Sequence, residues 1–159
     1  MYTTLRFLTY FSLTALLFSG CAKEDNDENI TISLENTTWV ATMTDENIST
    51  NPPGEFGMNG VNQYYPWLEC HMDDSFIFLK DRLSINDNET ACDNGIDLIF
   101  DTKNQPYSYN AETKKLTVGS GDDVVVLDVY ELNGDRLKLG LTVPTGTGFG
   151  HVVFLFRKK

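Results

Sequence analysis

The chain has 159 residues, of which 41% are hydrophobic and 12% aromatic, enough for one domain with a real core. Twelve Lys and Arg stand against 23 Asp and Glu, a formal charge of −11. A surface of that sign repels nucleic acid, so nucleic acid is excluded as a natural partner.

Met1 to Arg6 carries one positive charge, and Phe7 to Phe18 is an apolar run too short to span a bilayer. Leu17-Phe18-Ser19-Gly20-Cys21 follows and resembles a bacterial lipobox, in which the cysteine is acylated and becomes N-terminal after cleavage. Phe18 stands where an aliphatic residue is usual. Residues 1–20 therefore read as a lipoprotein signal peptide and Cys21 as the lipidation site. Cleavage near Gly20 without acylation would instead leave a free thiol in an exported protein. Two or three acyl chains on one cysteine hold a protein stably on a membrane. The mature chain keeps 11 Lys and Arg against 23 acids, because only Arg6 is lost.

Residues 21–33 are polar and acidic and read as a solvated tether. Within them, Lys23-Glu24-Asp25 resembles the Lys-then-acid surface-export signal of lipoproteins from bacteroidete bacteria. That likeness implies an outer-membrane lipoprotein at the cell surface. The alternative is the same protein facing the periplasm.

Asn36 to Met43, which includes Trp39, is expected to be the first strand. Asp45 to Pro66 is rich in Asn, Gly and Pro and reads as a long loop with one helical turn near Tyr64-Tyr65. Phe76-Ile77-Phe78-Leu79 and Leu83-Ser84-Ile85 form a hairpin with apolar residues on both faces. Cys70 and Cys92 lie outside its two strands. With Cys21 acylated, two thiols remain in an oxidising compartment, and the even remainder predicts a Cys70–Cys92 disulfide.

Ile96 to Phe100 and Pro106 to Tyr109 read as short strands. Lys115 to Val118 is a strand closed by Gly119 to Asp122, and Val124 to Leu132 is a longer β-branched strand. Asn133-Gly134 predicts a two-residue type I′ turn. In the return strand, Leu137, Leu139, Leu141 and Val143 face inward, while Lys138 and Thr142 face water. Gly146 to Gly150 turns the chain into a last strand, Val152 to Phe156. The fold class is all-β: an antiparallel up-and-down barrel of about eight strands, closed because closure removes sheet edges.

No site chemistry is singled out. His71 and His151 are about eighty residues apart, no G-x-S-x-G elbow is present, and Asp87 to Gly95 lacks the ligand spacing of an EF-hand. Gly146-x-Gly148-x-Gly150 has no lysine or following helix and reads as a hairpin turn. No enzyme activity, metal or cofactor is expected.

Trp39, the Cys70-His71-Met72-Asp73-Asp74-Ser75-Phe76-Ile77-Phe78 run, Cys92 and the Leu116–Phe156 meander together resemble the lipocalin-like domain of bacteroidete lipoproteins. The resemblance covers residues 34–159 and implies a barrel that holds a small apolar ligand. Its candidate inward residues are Phe76, Phe78, Tyr107, Tyr109, Leu127, Val129, Leu139 and Leu141. The tyrosine hydroxyls would fix the ligand's polar group, and the Asp45–Pro66 loop would be a lid over one mouth. Lipocalins place a basic side chain over the first-strand tryptophan, so Arg157 is expected to stack on Trp39. Thr37 departs from the glycine usual two residues before that tryptophan. Two other functions stay open. One is a non-catalytic surface interaction or structural module; the other is a carbohydrate-binding module with an exposed Trp67 as stacking platform.

Overall fold

The computed structural model describes residues 32–52, 63–86, 104–145 and 148–159. Cys21, Lys23-Glu24-Asp25, Cys92 and the expected strand Ile96–Phe100 lie outside the described residues.

Nine strands run in chain order: β1 (Thr37–Ala41), β2 (Gln63–Tyr64), β3 (Ser75–Phe78), β4 (Arg82–Asn86), β5 (Gln105–Asn110), β6 (Lys115–Val118), β7 (Val125–Leu132), β8 (Arg136–Thr145) and β9 (Gly148–Lys158). The strands β1-β3-β4-β5-β6-β7-β8-β9 pair in that order, and β9 returns to β1. This is a closed antiparallel eight-stranded barrel with β2 added. The added strand is parallel to β9 through Gln63↔Val152 and Tyr64↔Val153. It takes the part of the β9 edge that the five-residue β1 is too short to reach. No helical turn forms at Tyr64-Tyr65, since Tyr64 ends β2, and a 3-10 turn of the loop falls at Ile48–Thr50.

Alternation sets the two faces of each strand. Trp39, Phe76, Phe78, Leu116, Val118, Leu127, Val129, Leu137, Leu139, Phe154 and Phe156 point inward into one buried core. In β1 the chain enters through a turn in which Asn36 adopts φ 61°. Thr37 stands at the barrel base. Its hydroxyl accepts the Trp39 indole N–H at 2.8 Å and donates to the Leu34 carbonyl at 2.5 Å. The threonine that departs from the lipocalin pattern thus ties the buried tryptophan to the incoming chain.

The β7–β8 hairpin differs from its sequence reading. Leu132 pairs with Leu137, and the Asn133 N–H reaches the Arg136 carbonyl. The turn therefore centres on Gly134-Asp135, one residue later than expected, and neither residue has a positive φ. Asn133 caps it, its Oδ1 accepting the N–H groups of Asp135 and Arg136 at 2.9 and 2.7 Å. Continued unbroken, this register would set Leu139 opposite Tyr130 on the outer face. A bulge between Val129 and Glu131 absorbs one residue and restores Val129↔Leu139 on the inside. The bulge also sends Tyr130 across the outer face of Gly140, where a Cβ would come within 2.1 Å of the ring.

Candidate functional site

The barrel interior holds all eight expected cavity residues. Phe76, Phe78, Leu127, Val129 and Leu139 are core, and Tyr107, Tyr109 and Leu141 pack against it. The face assignment of the Phe76 strand is settled by its register, since Trp39 pairs with Phe76 and both are 1% exposed.

Trp67 changes what this interior is. It follows β2, is only 7% exposed, and lies among the inward rings, with centroids 5.7 Å from Phe76, 5.4 Å from Phe156 and 6.0 Å from Phe154. Tyr65 packs beside it at 4.8 Å and against Phe154 at 4.9 Å. Phe76 and Phe156 meet directly at 4.9 Å. Trp67 is therefore no exposed stacking platform. It is a ring inserted into the barrel from the β2–β3 connection, and its edge-on contacts favour close aromatic packing. Its indole Nε1 is buried with no hydrogen-bond partner.

The tyrosines are only partly available to a guest. The Tyr107 hydroxyl donates to the Leu79 carbonyl at 2.7 Å. Its pKa is raised by burial and then by the charges of Glu35 and Asp81. Burial alone raises that of Tyr109.

The expected contact at the seam does not form. Arg157 pairs with Val40, while Trp39 stands opposite Lys158. Val40 and Trp39 are neighbours in a strand and point to opposite faces, so Arg157 is exposed outside and the indole is buried inside. The two residues do sit together at the closing seam, as an up-and-down barrel requires.

The outer face of β8 carries the main polar cluster. Lys138, expected to face water, is 2% exposed. Its Nζ donates to Asp45 Oδ1 and Oδ2 at 2.8 and 2.9 Å, to the Asn47 carbonyl at 2.7 Å and to Asn51 Oδ1 at 2.8 Å. Tyr64 donates to Asp45 Oδ2 at 2.7 Å and accepts from Asn51 Nδ2 at 2.8 Å. Burial pushes the Asp45 carboxyl pKa upward. Hydrogen bonds from Lys138, Tyr64, the Asn47 N–H and Asn51 outweigh it and hold the group below its ordinary value.

Beside this cluster, Glu131 accepts from Arg136 Nε at 2.9 Å, Asn133 Nδ2 at 2.8 Å and Asn47 Nδ2 at 3.3 Å. The first part of the Asp45–Pro66 loop is thus fastened to the outside of the wall and is not a lid over a mouth. Outward-facing Val40, Val153 and Leu155 are at most 5% exposed. Residues 53–62 lie outside the described residues.

Alternation gave Lys138 the correct face, the outer one, but could not show that the face is covered. The available signal was the acceptor-rich run Asp45-Glu46-Asn47 with Asn51, which suits an ammonium. A cleft of about 200 Å³ opens beside the cluster, with Thr44, Glu46, Arg136, Arg157 and Lys158 among its walls. Elsewhere on the outer face, His151 Nδ1 lies 3.2 Å from Thr142 Oγ1 and 3.4 Å from the Tyr130 hydroxyl.

Cys70 is the only cysteine among the described residues. It lies in a 3-10 turn with buried His71.

No family model, curated protein or solved structure matches this chain.

Proposed function

We propose that this chain is a lipid-anchored outer-membrane protein, displayed at the cell surface through Cys21 and Lys23-Glu24-Asp25, whose barrel is a non-catalytic interaction module. The observation that carries the barrel's part in this is Trp67 inserted among Phe76, Phe154 and Phe156. Rings that pack against one another leave that part of the lumen no room for a guest, so contacts with other molecules fall to the outside. The non-catalytic reading draws support from the polar cluster, where Lys138 and Tyr64 satisfy Asp45, and Arg136, Asn133 and Asn47 satisfy Glu131.

The lipocalin-like likeness belongs to this proposal as a likeness of architecture. The closed eight-strand meander with a buried tryptophan in the first strand supports it. The missing Arg157–Trp39 stack and the inserted Trp67 count against a cup-shaped binding protein.

Native mass spectrometry of protein purified from its own cells is the direct test. The expected mass is the mature chain plus acyl groups and nothing else. A retained small molecule would overturn the module reading.

A second reading, a small apolar ligand inside the barrel, is favoured by one observation. A buried N–H without a partner costs roughly 1–3 kcal/mol, and a guest with one acceptor near Trp67 Nε1 would recover it. Displacement of an environment-sensitive apolar dye, lost in Trp67→Phe, would support that reading.

The proposal also includes a Cys70–Cys92 disulfide, which would tie the approach to β3 to the segment after β4. In the chain-entropy model a loop of this size contributes roughly 3 kcal/mol.

A further inference from the structure

A buried lysine that only balances a charge needs a carboxylate and little else. Lys138 has more around it. Its Nζ lies 2.8 Å from the side-chain oxygen of Asn51, and the amide carbon is one bond beyond that oxygen. Asp45 takes the ammonium on both oxygens, at 2.8 and 2.9 Å, and also hydrogen-bonds Asn51. Tyr64 closes the circuit. Its hydroxyl donates to Asp45 Oδ2 at 2.7 Å and accepts from Asn51 Nδ2 at 2.8 Å. Amine, carboxylate, phenol and carboxamide thus stand in one ring of hydrogen bonds. The side chains of Lys138 and Asp45 are 3% and 8% exposed, so little water reaches them.

We infer that this ring is a modification site, at which Lys138 Nζ and Asn51 Cγ join in an isopeptide bond with Asp45 as the base. One proton passes from the ammonium to Asp45, which frees the lone pair of Nζ. Nζ adds to Asn51 Cγ, and the bond from Cγ to Nδ2 then breaks. A proton of Nζ reaches Nδ2 through Asp45 and Tyr64, so the leaving group departs as ammonia. Of the three protons on Nζ, one stays on the new amide, one leaves in ammonia and one remains on Asp45. The site is neutral before and after, and the step needs no oxidant or reductant.

Burial lowers the cost of passing through neutral amine and neutral acid, and groups held in contact need no bimolecular encounter. The ion pair is still the resting state, because hydrogen bonds hold Asp45 below its ordinary pKa. The bond therefore accumulates with the age of the chain, and new protein carries the unreacted ion pair. Asn51 and Lys138 are 87 positions apart. Joining them ties the loop to β8 around everything from β2 to β7. The reaction occurs once, within its own chain, so it goes beyond the anchored, non-catalytic module proposed above without resting on it.

The test is peptide mapping by mass spectrometry of reduced protein purified from its own cells, both fresh and after several days of incubation. A linked pair of peptides holding Asn51 and Lys138 should appear, about 17 Da lighter than their sum for the one ammonia lost. It should grow with time at a rate independent of protein concentration. Tyr64→Phe should slow that growth about a hundredfold or more, and Lys138→Arg should abolish it, each with the circular dichroism spectrum unchanged. Complete cleavage by trypsin after Lys138 in the aged protein would overturn the inference. So would a linked pair about 18 Da lighter, which is water lost to a bond with Asp45, or ammonia lost only from a cyclised Asn133. Equal rates in wild type and Tyr64→Phe would overturn the circuit. None of these outcomes bears on a retained small molecule or on acylation, which the native mass and the fractionation of Cys21→Ser decide separately.

Discussion

Lys138 concentrates the chemistry of one face in a single side chain. Its ammonium is stable in a buried position only because four acceptors surround it, two of them the oxygens of a carboxylate that Tyr64 also holds. Lys138→Ala would leave Asp45 buried without its cation. The expected loss is about 3–5 kcal/mol by denaturant unfolding. The latch also has a pH signature. The folded-state pKa of Asp45 is depressed, so its contribution is present above the unfolded carboxylate pKa near 3.8 and is lost as pH falls through the lower folded value. Wild type should therefore lose more stability than Asp45→Asn on acidification below about pH 4.

Tyr130 has the opposite sign. Burial, then the charge of Asp128, pushes its phenol up to about 12. Its contribution is complete below pH 10 and fades as pH rises toward 12, and ultraviolet titration should lose one late-ionising phenol in Tyr130→Phe. Gly140→Ala drives a methyl into the Tyr130 ring. It should cost about 1–3 kcal/mol, most of it recovered when Tyr130→Ala is added.

At the scale of elements, the seam between β1 and β9 closes the barrel on few pairs: Trp39↔Lys158, Val40↔Arg157 and Ala41↔Phe156. The last residue adds a backbone bond from Lys159 to Thr38. A chain ending at Phe156 keeps the inward rings but loses two of the three pairs. It should show red-shifted Trp39 emission and a lower unfolding midpoint, and an unchanged midpoint would mean that this seam does not hold the barrel shut.

The β7–β8 hairpin shows how far local rules reach. Asn133-Gly134 is a sound turn signal, and the turn is there. Its position, however, was set by Leu137 and Leu139 of β8 and Leu127 and Val129 of β7 all needing the inside, and the bulge that reconciles them has no marker of its own. The strand Phe76–Leu79 was ambiguous for a related reason. Apolar residues on both faces do not reveal which face is core until Trp39 stands beside Phe76.

For the whole molecule, the anchor and the barrel make separable predictions. Cys21→Ser should move the protein from the membrane to the soluble fraction. Neutral replacements of Lys23-Glu24-Asp25 should reduce protease accessibility on intact cells without changing membrane attachment. Trp67→Ala should destabilise the barrel by roughly 3–5 kcal/mol, because it empties the centre of the ring cluster. Trp67→Phe keeps a ring there and removes the unpartnered N–H, so it should cost far less. If Trp67→Ala were nearly neutral and bound an apolar dye that wild type also binds, the interior would be a site and not a plug.

The sequence by itself determined the all-β class, an up-and-down barrel of about eight strands, the inward faces that carry Tyr107, Tyr109, Leu127, Val129, Leu139 and Leu141, and the meeting of the first and last strands. All of these follow from period-two alternation and turn chemistry, which act over a few residues. Only the tertiary structure decided that Lys138 is buried, that Trp67 enters the barrel, that Arg157 points away from Trp39, and that residues 45–51 are strapped to the wall. Each of these depends on partners tens of residues away in the chain. Asp45 is 93 positions from Lys138, and no local pattern records whether an outward face will be covered.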